Sequence, residues 1–173
     1  WANDKKEGFG LIDWGDGSSY EGMWKNDARN GRGTFNYLHG DKYTGDWVND
    51  VQHGKGVYYF NTGDRYEGSY EQGERTGKGS YIYANGDKYT GEFKDGRQEG
   101  YGKFTWANGS EYEGQWKDNN RCVTGKYKWV NGDVYDGDWV ANQPHGKGKL
   151  TLVDGSIYTG EFSEGLEHGT GVF

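Results

Sequence analysis

The sequence predicts an all-β fold: a single twisted antiparallel sheet of consecutive β-hairpins, elongated and open at both ends. Two observations carry that prediction. Tyr20, Tyr43, Tyr66, Tyr89, Tyr112, Tyr135 and Tyr158 recur every 23 residues without insertion or deletion. Within each unit the informative residues step by two, Tyr20, Gly22, Trp24 and then Gly31, Gly33, Phe35, Tyr37, which is the side-chain period of a strand. This regularity decides a question that composition leaves open. Leu, Ile, Val and Phe together supply only 24 of 173 residues and the formal charge is −7, a combination typical of disorder. Yet 27 of the 30 aromatic residues and 29 of the 33 glycines fall in four aromatic and four glycine columns of the 23-residue frame. A disordered chain has no reason to keep that register.

Each unit opens with a first strand of the form Y-x-G-x-[WFY], ending at Trp24, Trp47, Tyr70, Phe93, Trp116, Trp139 or Phe162. A connection rich in residues that tolerate positive φ follows, as in Asn26-Asp27, Gln72-Gly73, Asp95-Gly96 and Glu164-Gly165, and it closes a hairpin. The second strand carries G-x-G and two spaced rings, such as Gly54, Gly56, Tyr58 and Phe60. A turn around Gly40, Gly63, Gly86, Gly109, Gly132 or Gly155 then leads into the next unit. Glycine normally weakens a strand, so its alternation with large rings predicts that each ring lies across a neighbouring strand's glycine. The opposite face is polar. Acids of first strands, from Glu21 and Glu67 to Glu92, Glu113, Asp136, Asp138 and Glu161, oppose Arg32, Lys55, Lys78, Lys103, Lys126, Lys147 and Lys149 of second strands, so cross-strand ion pairs are expected there. About fifteen strands at roughly 4.8 Å make a ribbon on the order of 70 Å long.

We expect one array over residues 1–173, with seven Tyr-led units and a partial leading unit at 1–16. Trp1 falls in the Trp24 column with no Y-x-G before it, and Phe173 falls in the Phe35 column. The chain therefore reads as a segment of a longer array. One unit departs from the pattern: Val123, preceded by Cys122, stands where its sisters have glycine, and it is expected to crowd a ring or loosen that hairpin. Asn142-Gln143-Pro144 is a milder departure.

Composition narrows the partners. A charge of −7 with 20 Lys and Arg against 27 Asp and Glu argues against nucleic acid, whose binding rests on clustered cations. It gives no general attraction to anionic lipid either. No stretch approaches the length of a membrane span and no leader of the secretory kind is apparent. With a single cysteine no internal disulfide forms, and a cytoplasmic location is expected. There is no nucleophile elbow, phosphate loop or zinc-type histidine spacing, so no enzyme activity, catalytic residue or cofactor is predicted.

The repeat resembles the MORN repeat: Y-x-G-x-[WFY], then [HNTE]-G-x-G, closed by an [ND]-G-[DS] turn, over the whole chain. The resemblance implies a curved single sheet with an aromatic-lined groove. It also implies a non-enzymatic scaffold or protein-interaction array at a cytoskeletal or membrane-associated structure, self-associating as a homodimer through a terminal repeat. Two other settings occur in the family, a targeting module of a larger enzyme such as a lipid kinase and an adaptor gripping the tail helix of a motor protein. Phospholipid binding has been proposed for such arrays, although the charge of this one does not support it.

Three sets of candidate residues follow. The central rings Tyr66, Tyr89, Phe93, Tyr112 and Trp116 are expected to line a groove for a protein partner, because binding hot spots favour central Trp and Tyr. Tyr158, Phe162 and Phe173 are expected to mediate self-association, since open sheet edges invite pairing. No metal site is predicted within one chain. Cys122, His145 and His168 share one column, but successive members lie two strands, roughly 10 Å, apart, so only a zinc ion shared between chains would bring them together.

Overall fold

A computed structural model describes residues 5–172. Trp1 and Phe173, each assigned to a ring column above, lie outside the described residues, and so does the self-association role expected of Phe173. The fold is all-β. Fifteen strands stand in chain order in one open antiparallel sheet. Two compact units divide the chain, one made of residues up to Ala84 with Lys94–Gly96, the other of Asn85–Phe93 with the residues from Arg97 onward.

The first unit holds β1 (Gly8–Asp13), β2 (Ser19–Lys25), β3 (Ala28–Asn36), β4 (Lys42–Val48), β5 (Val51–Tyr59), β6 (Arg65–Glu71) and β7 (Glu74–Ile82). Its glycines pair across strands, Gly22 with Gly33 and Gly45 with Gly56. A Tyr ring lies against each pair. A Cβ added at Gly45 would sit 2.5 Å from the Tyr43 hydroxyl and 2.6 Å from the Gly56 Cα, closer than packed atoms approach. Tyr20, Tyr43 and Tyr66 are fully buried in this way. The glycines are bare because the rings occupy the space a side chain would need. The next repeat's ring packs beside that tyrosine, Trp47 at 5.7 Å from Tyr20, and the Trp47 indole N–H donates to the Gly33 carbonyl at 3.3 Å.

The second unit holds β8 (Lys88–Lys94), β9 (Arg97–Thr105), β10 (Glu111–Lys117), β11 (Asn120–Lys128), β12 (Val134–Val140), β13 (Gln143–Thr151), β14 (Ile157–Ser163) and β15 (Leu166–Val172). The same ladder recurs. Gly114 pairs with Gly125 and Gly137 with Gly148, Tyr112 and Tyr135 are fully buried, and the Trp139 indole donates to the Gly125 carbonyl at 2.9 Å.

Hairpin turns use positive φ at both central positions, as at Asn49 (47°) and Asp50 (69°) or Asp118 (49°) and Asn119 (65°), the backbone that matches strand twist. After each turn the second strand carries extra residues and the register shifts, for example between Gly45 and Asp46. Such a bulge strands a carbonyl. The buried tyrosine takes it: Tyr43 donates to the Asp46 carbonyl at 3.0 Å and Tyr135 to the Asp138 carbonyl at 2.9 Å. The carboxylates of Asp46 and Asp138 accept the Lys55 and Lys147 amides at 3.0 and 2.9 Å. Asp138 is therefore a bulge cap more than a rung of the ion-pair ladder. Among the described residues that ladder closes in places, at Arg32–Asp46 (3.9 Å), Lys103–Glu111 (3.0 Å) and Lys126–Asp136 (3.0 Å), and exposed pairs of this kind are worth about 0–1 kcal/mol.

Val123 corrects an expectation. Its hairpin keeps the turn and the register shift of its sisters, because the valine itself takes the left-handed backbone, φ 57°, where Gly54 has 62° and Gly146 has 63°. At those sister glycines a Cβ would meet Asp46 and Asp138 on the polar face, away from the rings. Val123 accordingly projects to solvent, 58% exposed. A β-branched residue in this region is an outlier, and the cost is local strain without distortion of the ladder.

Candidate functional site: the half-buried ring row

The two ring columns have different fates. Within each compact unit first-strand rings stack edge to face: Tyr43 on Trp47 at 5.0 Å and on Tyr70 at 5.2 Å in the first, Tyr112 on Trp116 at 5.2 Å and on Trp139 at 5.0 Å in the second. Tyr20, Tyr43, Tyr89, Tyr112 and Tyr135 are thus clamped between their own repeat's ring and the next one's, in the geometry aromatic pairs prefer. The central residues assigned to a partner groove, Tyr66, Tyr89, Phe93, Tyr112 and Trp116, are at most 6% exposed. They form the floor beneath the accessible surface. Tyr158 and Phe162, assigned to self-association, are packed against each other at 5.4 Å and are buried in the same way. Burial raises the hydroxyl pKa of Tyr20, Tyr66 and Tyr135 to about 12, so these groups remain neutral donors to the bulge carbonyls.

Second-strand rings are only half-buried. In the first unit they run in a zigzag, Phe35 to Tyr37 at 4.4 Å, Tyr37 to Tyr58 at 5.8 Å, Tyr58 to Phe60 at 4.5 Å and Phe60 to Tyr81 at 5.7 Å. Tyr58 and Tyr81 are anchored by hydroxyls donated to Asp41 at 2.7 Å and Asp64 at 2.8 Å. The same carboxylates accept the Asn61 and Ala84 amides, at 2.8 Å each, tying one repeat's turn to the next. In the second unit Phe104, Trp106, Tyr127 and Trp129 continue the pattern at 4.6, 5.1 and 4.8 Å.

Guanidinium groups lie among these rings. Arg29 sits 4.4 Å from the Trp47 centroid and 4.9 Å from that of Phe35, while Arg121 sits 4.7 Å from Trp139 and 5.4 Å from both Tyr127 and Trp106. Stacking on ring faces of this kind is worth about 0.5–2 kcal/mol. Burial pulls the Arg121 pKa below its ordinary value. Around Arg29 the rings, the Asp27 and Asp50 turns and Gln52 line a shallow open depression of about 690 Å3. These arginines escape a search by aromatic columns. Their signal is a 46-residue recurrence, Arg29, Arg75, Arg121, which skips every second repeat.

Cys122 lies on β11, His145 on β13 and His168 on β15. Among the described residues no group of three His, Cys, Asp or Glu side chains is placed to hold a metal ion. Burial pushes the Cys122 thiol pKa up, which disfavours thiolate chemistry. Among the described residues no helix is long and apolar enough to cross a membrane.

The family model described as the MORN repeat matches eight consecutive segments, residues 1–19, 20–37, 43–65, 66–88, 89–111, 112–134, 135–157 and 158–173. Among solved structures, the chain is similar to the TCP domain of Drosophila melanogaster SAS-4 (dCPAP) in complex with a proline-rich motif of Ana2 (dSTIL). The identity is 14% and the TM-score 0.48, over 88% of this chain and 78% of that one. For the TCP10 domain of Danio rerio CPAP in complex with a peptide of Danio rerio STIL the values are 13% and 0.37, over 90% and 80%. No curated protein matches the chain.

Proposed function

The chain belongs to the MORN-repeat family, and on that premise we propose that it is a non-enzymatic protein-interaction array that holds a partner segment along its second-strand rings. The observation that carries this reading is the split between columns. First-strand rings are consumed by the ladder, while second-strand rings keep part of their surface open, linked from Phe35 through Tyr37 and Tyr58 to Phe60 in the first unit and from Trp106 to Tyr127 in the second. Connected apolar surface of this sort, rimmed by polar turns, is what a partner covers. In this reading the array works as a cytoplasmic scaffold at a cytoskeletal or membrane-associated assembly. Dimerisation would run through the terminal repeat, where β15 is exposed along its length.

The test compares wild type with Phe60→Glu and Trp106→Glu, after melting curves establish that all three are folded. Affinity capture should recover a partner set with wild type that both variants lose. Recovery of the same set by the variants would refute a ring-row interface. Light scattering should give twice the chain mass, and a monomer would remove the dimer from the proposal.

A further inference from the structure

The ninth residue after each tyrosine faces the hairpin turn of the following unit, and the two backbones are joined there: the Asp50 amide donates to the Arg29 carbonyl at 3.0 Å and the Asn142 amide to the Arg121 carbonyl at 3.1 Å. The turn side chain returns the bond, Asp50 accepting the Arg29 amide at 2.9 Å and Asn142 the Arg121 amide at 2.8 Å. What differs is countercharge. The Arg29 Nε also donates to the Asp50 carboxylate at 2.9 Å. At Arg121 the corresponding group is a neutral amide, which donates its own N–H to Asn120 at 2.6 Å.

The Arg121 guanidinium consequently makes one hydrogen bond among the described residues, from Nη2 to the Asn142 carbonyl at 2.7 Å. It has no ion pair there, although four rings surround it: Trp106, Tyr112, Tyr127 and Trp139. A guanidinium carries five N–H donors in a planar fork shaped for a carboxylate. Holding a half-buried one without an anion is costly, and ring faces compensate only part of that cost.

Resting on the proposed interaction array, we infer that Arg121 is the anion-reading position of the ring row, taking a carboxylate from an Asp or Glu that lies between apolar residues of the partner segment. The apolar neighbours of that acid rest on Trp106 and Tyr127, and the acid meets the fork. The net charge of −7 does not oppose this, because exposed charges beyond about 8 Å are largely screened at physiological salt. Arg29 is not a second such position, since Asp50 already occupies its fork.

The test uses the full chain and a phage-displayed library of randomised linear peptides. Wild type should enrich peptides with an acid between apolar residues. Arg121→Gln should bind such a peptide about 10- to 100-fold more weakly, the worth of a charge-assisted pair. Changing the peptide's Glu to Gln should cost wild type the same factor and the variant almost nothing. Glutamine is a safe replacement, because Gln52 and Gln98 occupy this column in the same chain. Arg121→Lys, which keeps charge but loses the fork, should fall between. Enrichment of purely apolar peptides, or equal binding of the acidic peptide by Arg121→Gln, would overturn this inference alone. A library that yields no binder would overturn the interaction array itself.

Discussion

Arg29 and Arg121 occupy the same place in the repeat and lie against equivalent rings, Trp47 and Phe35 in one case, Trp139 and Tyr127 in the other. Among the described residues one carries its own carboxylate and the other does not. The socket is built by the ladder, which every unit shares. Its charge is set by one turn residue, Asp50 or Asn142, that the ladder leaves free to vary because both residues accept the facing amide and both tolerate a φ near 70°. A repeat array can thus hold its architecture constant and change what it recognises at single letters.

The comparison is broken most severely by removing the socket. Gly125→Ala places a methyl against the Tyr112 hydroxyl and ring. Overpacking of this kind costs about 3 kcal/mol, and in an array the loss should be local. Hydrogen exchange should show β10 and β11 deprotected while β2 and β3 are unchanged.

A smaller effect sharpens it. Burial by itself would raise the Asp50 carboxyl pKa, but hydrogen bonds from the Arg29 amide and guanidinium, with the Arg29 charge, outweigh it and hold the group below its ordinary 3.8. A folded-state pKa lower than the unfolded one contributes stability that is present above pH ~4 and lost as pH falls through the folded value. Asp50→Asn should remove this acid limb from the unfolding curve of the first unit, at a cost of about 1 kcal/mol at neutral pH. Urea titrations between pH 2 and 7 measure both.

Val123→Gly should move in the opposite direction, raising stability by about 1 kcal/mol, since a left-handed backbone penalises a side chain by roughly that amount. A thermal melt shows it as an upward shift. The smallest change is Trp139→Phe, which removes the indole bond to the Gly125 carbonyl and should cost about 0.5–1 kcal/mol; the chain itself uses Phe93 and Phe162 in that column.

The hairpin order, the turns and the pairing of rings with glycines are legible in the sequence because all three repeat at the 23-residue period and in phase. The proposed partner surface is legible only as far as its residue type. Residue type and central position point to Tyr66, Tyr89 and Trp116, yet burial depends on the ring contributed by the next repeat, which closes edge to face over Tyr89 and Tyr112. The lighter-looking column, Phe35, Tyr58 and Tyr127, is the one left open. Arg121 is harder still to read. Its column alternates with glutamine, so it disappears when units are aligned singly, and its missing countercharge lies 21 residues away at Asn142.

Asn142→Asp tests the central claim most directly, because it gives Arg121 the countercharge that Arg29 already has and keeps an oxygen for the Arg121 amide, giving up only the N–H that Asn142 donates to Asn120. Binding of an acid-bearing peptide selected on wild type should weaken by about 10-fold or more, with a cooperative melt showing that the variant is folded. Undiminished affinity in that variant would contradict the account.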